Sequence, residues 1–154
     1  MLKTTFLTVT MLAASHSILL NAGPAGSEKI MAQKLVEEVK AAHPEITGLE
    51  LAATRTGQGC KTIAATEAKE IGEKCDKDEL MATKTNKPFV EKEKDEFDVT
   101  LPIHDPAGKV IGTAGMDFKV AGQTKESVTS QALLIAADLE KRITSKEQLF
   151  ERAK

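Results

Sequence analysis

From Phe97 to Lys119 the chain reads FDVTLPIHDPAGKVIGTAGMDFK, and its apolar residues recur with a period of two. Phe97, Val99, Leu101 and Ile103 share one parity, while Asp98, Thr100, Pro102 and His104 take the other. Beyond Asp105-Pro106-Ala107-Gly108, Val110, Ala114, Met116 and Phe118 fall together, and Thr113 and Asp117 take the opposite parity. Alternate side chains of a strand point to opposite faces of its sheet. The stretch therefore predicts two paired strands with one oily face for helices and one polar face for solvent or a ligand.

The rest of the chain fills in around this hairpin. Ser27 is placed to cap a helix running to about Ala42, with Ile30, Met31, Val36 and Val39 on one side. His43-Pro44 ends it, because the residue before a proline is pushed out of the helical region. Glu45 to Thr56 and Cys60 to Thr66 read as a strand hairpin around Gly57-Gln58-Gly59. Ala68 to Lys74 fits either a helical turn or a loop. Asp76 can cap a short helix to about Thr85, broken by Asn86-Lys87-Pro88. Phe89–Val90 suits a short edge strand, and the mixed charges from Glu91 to Glu96 suit a solvated hairpin tip. From Thr124 the period lengthens: Val128, Ala132, Ile135, Ala136, Leu139 and Ile143 predict an amphipathic helix. Thr144 and Glu147 then offer a capping box for a last short helix carrying Leu149 and Phe150. This order predicts an α+β fold: an antiparallel sheet of about five strands, with the N- and C-terminal helices on its oily face.

The N-terminal residues change the compartment. Lys3, an apolar run from Phe6 to Leu20 and the small residues that follow form the pattern of a cleaved signal peptide. The expected divisions are a signal over 1–22, a linker over 23–27, a domain over 28–143, and a short C-terminal helix and tail over 144–154. A cut near Ala25-Gly26 is the alternative, and a membrane anchor the rival to cleavage. The polar interruptions Thr8, Thr10, Ser15, His16 and Ser17 favour cleavage, and no later segment is apolar enough to span a bilayer. The expected location is periplasmic or secreted. The only cysteines, Cys60 and Cys75, lie in the exported part, where an even count favours a disulfide. Two free thiols, or a metal or redox pair, are the competing readings.

A length of 154 residues suits one domain, and a net charge of −2 argues against nucleic acid as a partner. Five Phe with no Trp or Tyr leaves little for stacking on bases or sugars. No G-x-S-x-G, H-E-x-x-H, P-loop or Rossmann glycine pattern occurs, and no haem motif. The expectation is a protein that is not an enzyme and carries no cofactor or metal.

The layout and several phrases resemble the single-Cache family of PAS-like extracytoplasmic sensor domains. The phrases are Val99-Thr100-Leu101-Pro102-Ile103, then Asp105-Pro106-Ala107-Gly108, then Val110-Ile111-Gly112, with Ile71-Gly72 and Asp78-Glu79-Leu80 upstream. The likeness covers roughly residues 28–143 and implies a small-molecule pocket on the sheet face away from the long helices. Thr100, His104, Thr113 and Asp117 would form its floor. Arg55 and Lys61 flank the first hairpin turn and suit a ligand carboxylate at the rim, Arg by a two-pronged contact. Lys74 and Lys87 lie beside the segment that would roof it. An Asp117 carboxylate would hold a ligand amine, its structural alternative being an ion pair with Lys119 or Arg55. His104 would bond a ligand carboxylate, its structural alternative being a polar residue beside a turn. The expected function is recognition of a small polar metabolite such as an organic acid or amino acid, without an output domain. A membrane sensor protein or a second copy of the chain would be the macromolecular partner. The rival is a protein-interaction or accessory module of the same fold with no ligand.

Overall fold

A computed structural model describes residues 29–154. The signal-like segment, the linker and the Ser27 cap lie outside the described residues. Helix α1 (Met31–Ala42) starts three residues later than a Ser27 cap would start it, because Ile30 is extended and bridged to Arg152; it has no side-chain cap and buries Ala32, Leu35, Val36 and Val39. His43 is its C-cap, as the His-Pro pair predicts, and its Nδ1 lies 2.8 Å from Glu45 Oε1. Strands β1 (Ile46–Thr54) and β2 (Cys60–Ala65) form the first hairpin, and a 3-10 turn at Ala68–Glu70 follows.

Helix α2 (Lys77–Thr85) starts at the expected Asp76. The Asp76 carboxylate accepts from the Glu79 N–H, and the Glu79 carboxylate accepts in return from the Asp76 N–H. Asn86 ends it in the left-handed region at φ 54°, where a short polar side chain is tolerated. Strands β3 (Phe89–Lys92), β4 (Glu96–His104) and β5 (Val110–Lys119) lead into helix α3 (Lys125–Lys141).

The five strands lie in the order β2-β1-β5-β4-β3, each neighbouring pair antiparallel. The alternation of the long hairpin is realised in this register. Phe97 stands opposite Phe118, Val99 opposite Met116 and Leu101 opposite Ala114. Across the other edge of β5, Leu49 meets Met116 and Leu51 meets Ala114. These side chains are buried beneath α1, which packs on β1 and β2, and α3, which packs mainly on β4. Val36, Val39, Ile135 and Leu139 complete one core with them.

The chain after α3 departs from the expected cap. The Thr144–Glu147 box does not form. Instead Ser145 Oγ accepts from the Gln148 N–H at 3.3 Å, and Gln148 Oε1 accepts from the Thr144 N–H at 2.6 Å. These two bonds do not close a reciprocal box, and the turn's N-cap, Lys146, carries no side-chain cap; Leu149 is turned into the core, where it is 3% exposed. The result is a 3-10 turn, Glu147–Phe150. The tail then pairs with the start of α1, the Met31 N–H donating to the Glu151 carbonyl at 2.7 Å. Among the described residues, no helix is long and apolar enough to cross a membrane.

Candidate functional site

The face of the sheet away from α1 and α3 is covered by α2 and by the chain leading into it. Cys60 and Cys75 form a disulfide that ties the start of β2 to the residue before the Asp76 cap. Backbone bonds continue the tie: Cys75 N–H to the Cys60 carbonyl at 3.2 Å, Thr62 N–H to the Glu73 carbonyl at 3.0 Å, and Gly72 N–H to the Thr62 carbonyl at 2.8 Å. The segment from Thr66 to Cys75 is thereby folded back over the polar face.

Beneath it lies a cleft of about 220 Å³ lined by Glu50, Asp98, Asp117, Leu49 and Gly115 from the sheet, and by Glu70 and Glu73 from the overlying segment. The register explains the assembly. Asp98 and Asp117 are direct cross-strand partners, as are Glu50 and Gly115, and Gly48 and Asp117. Each glycine leaves room for the carboxylate across from it. A side chain at Gly115 would meet Glu50 Oε1 at 2.7 Å, and one at Gly48 would collide with the Asp117 carboxylate. Five carboxylates therefore share a small space, and its lining includes no Lys or Arg among the described residues.

The electrostatics follow. Burial, then the charges of Glu79 and Glu70, pushes Glu50 up to about 7, although the Thr62 hydroxyl donates to its carboxylate at 3.2 Å. Burial and the Asp117 carboxylate push Asp98 up to about 7. Burial, with Glu96 and Glu70 nearby, pushes Asp117 up to about 6. Glu70 is raised by burial too. Glu79 projects from α2 onto the same face, raised by burial, and accepts a long bond from the Thr113 hydroxyl at 3.5 Å.

The expected floor residues divide. Asp117 lines the cleft, and its structural alternatives are absent: Lys119 pairs instead with Glu96 at 2.7 Å, and Arg55 lies over the Phe150 ring at 5.5 Å. Thr100 and Thr113 are on the same face, buried near α2. His104 is not with them. A register shift after Ile103 turns it aside, and it lies six residues along β4 from Asp98, roughly 20 Å at the strand rise. There its Nδ1 lies 2.6 Å from Glu140 Oε1 of α3, and its Nε2 2.6 Å from Asn86 Oδ1 at the end of α2.

Arg55 and Lys61 are likewise apart from Asp117. They line a separate cleft of about 180 Å³ with Ile71 and Phe150, and Arg55 also borders one of about 510 Å³ with Lys109 and Lys146. Lys74 bridges to Lys61 at the edge of β2, and Lys87 is exposed beyond α2. Sequence reasoning missed Glu50, Glu70, Glu73 and Asp98 as site residues. Asp98 was legible, being on the parity of Thr100. Glu50 required the β1–β5 pairing, which nothing local encodes. Among the described residues, no group of three or more His, Cys, Asp or Glu is arranged to hold a metal ion.

No family model and no curated protein sequence matches this chain. Solved structures do. The GAF domain from Acinetobacter phosphoenolpyruvate-protein phosphotransferase aligns with a TM-score of 0.50 and 14% identity, over 75% of this chain and 82% of that one. The Agobacterium tumefaciens repressor BlcR aligns with a TM-score of 0.51 and 10% identity, over 79% of this chain and 68% of that one. The fold is of the GAF/PAS-like class. At these identities the likeness is one of architecture.

Proposed function

We propose that this chain is a binding module, single-Cache-like within that class, which recognises a small amine or amino acid through its ammonium group. One observation carries the reading: Glu50, Asp98, Asp117, Glu70 and Glu73 surround one cleft that includes no cationic side chain in its lining. A cation entering it would neutralise charges that now repel one another, whereas an organic acid would add to the repulsion. The cleft volume of about 220 Å³ is below the usual range for drug-sized ligands, about 300–1,000 Å³, so the ligand is small. Binding, not catalysis, is the proposed activity, with no cofactor. Export to the periplasm or beyond is proposed on the signal-like N-terminal sequence and the Cys60–Cys75 disulfide.

Thermal unfolding of the protein with ethanolamine, alanine and succinate tests this. At 100 times its Kd a ligand adds about 2.7 kcal/mol, a melting shift of several degrees. Ethanolamine or alanine is expected to raise the melting temperature at pH 8 and lose that effect in the E50Q/D117N variant. A shift with succinate and none with either amine would overturn the assignment.

The interaction reading has its own observation. Leu133 and Leu134 on α3 are 52% and 73% exposed, a pairing that suits contact with a membrane sensor protein or a second copy. Sedimentation of the parent and of an L133S/L134S variant tests it: a dimer lost in the variant supports contact with a second copy.

A further inference from the structure

The strand floor and the segment above it carry charge of the same sign, and a covalent bond holds them together. Glu70 and Glu73 belong to the overlying segment, and Glu50, Asp98 and Asp117 to the sheet. Lys69, beside Glu70, offsets part of this charge. Against the repulsion stand the Cys60–Cys75 bridge, with Cα atoms 5.3 Å apart, and a few backbone hydrogen bonds to the exposed edge of β2. The segment itself buries little: the 3-10 turn Ala68–Glu70 contributes no buried residue, and Ile71 is 45% exposed. Apolar packing therefore does little to keep it in place.

We propose that the disulfide is the latch of an acidic lid. Bridged, it holds Glu70 and Glu73 facing the sheet carboxylates. Reduced, it lets their mutual repulsion swing residues 66–75 away and open the cleft. A dithiol supplies the two electrons and two protons. Its thiolate attacks one bridge sulfur, the S–S bond breaks and a mixed disulfide forms. The second thiol then displaces the remaining cysteine, leaving Cys60 and Cys75 as thiols and the reductant as a cyclic disulfide. The device goes beyond the ligand reading and operates whether or not an amine binds.

Amide hydrogen exchange on the full chain at pH 8, before and after treatment with dithiothreitol, tests it without any ligand. The reporting amides are Thr62, Gly72 and Cys75, whose bonds tie the segment to β2. Reduction is expected to speed their exchange by about tenfold or more, while amides between β4 and β5 keep their protection. Salt at about 1 M, where screening acts over roughly 3 Å, is expected to reverse most of the gain. The E70Q/E73Q variant, reduced in the same way, is expected to stay near the oxidised rate. Unchanged exchange on reduction would overturn the latch. So would equal acceleration in E70Q/E73Q, which would make the bridge a plain cross-link, or equal acceleration in β4 and β5, which would make it a support of the whole domain.

Discussion

At the scale of single residues, the unusual feature is a pair of aspartates placed directly across from each other in the middle of a sheet. Like charges opposite one another on antiparallel strands are destabilising, by roughly 0.2–1 kcal/mol. Asp98→Asn removes one of them without changing shape, so it is expected to stabilise the protein by up to about 1 kcal/mol at pH 8. At pH 5, below the raised values of about 7 for Asp98 and about 6 for Asp117, the gain should largely vanish. Chemical denaturation at the two pH values measures both. If the substitution instead destabilised the protein equally at each pH, the aspartate would be serving as a hydrogen-bond acceptor. Alternation alone placed Asp98, Thr100, Thr113 and Asp117 on this face. It misplaced His104 because the register shift after Ile103 is a property of the β4–β5 pairing. Parity counts residues along one strand and has no knowledge of its neighbour.

At the scale of elements, most boundaries were legible because their signals are local. Asp76 and Glu79 encode the start of α2 by their spacing, and the bond pair between them forms. Asp76→Ala should cost about 1 kcal/mol. The last turn shows where such reading stops. Thr144-x-x-Glu147 reads as a box, yet in the fold Gln148, not Glu147, takes the Thr144 N–H, and the Gln148 N–H donates to Ser145 Oγ beside the buried Leu149. Gln148→Ala is therefore expected to destabilise the protein by about 1 kcal/mol, and Glu147→Ala by less than about 0.5 kcal/mol. Thermal melts of the two variants decide between the caps, and the opposite ranking would restore the Thr144 box. Core substitutions belong to this scale too. Phe118, fully buried between the sheet and its helices, should cost about 3–5 kcal/mol when cut to Ala.

For the whole molecule, two sets of carboxylates pull stability in opposite directions with pH. Glu37 and Glu96 are held below their ordinary value by hydrogen bonds from Lys29 and Lys119. They contribute stability above the unfolded carboxylate range and lose it as the pH falls below about 4. Glu50, Asp98 and Asp117 are raised. The folded protein holds their protons more tightly than the unfolded chain does. Their contribution is thus full below about pH 4 and declines as the pH rises through the values of about 6 to 7. The first set is exposed and screened by solvent, so the cleft should dominate above pH 5. Melting temperature is expected to peak in mildly acidic solution near pH 5 and fall toward pH 8, and E50Q/D98N should flatten that fall. A bound amine reverses the slope, because it favours the ionised carboxylates and releases their protons. Its affinity should rise from pH 5 to pH 8, and the observed binding heat should vary linearly with the buffer's ionisation enthalpy, the slope giving the protons released. Affinity that is flat over this range, with the melting profile still sloping, would leave the acidic cleft in place and move the ligand elsewhere on the protein.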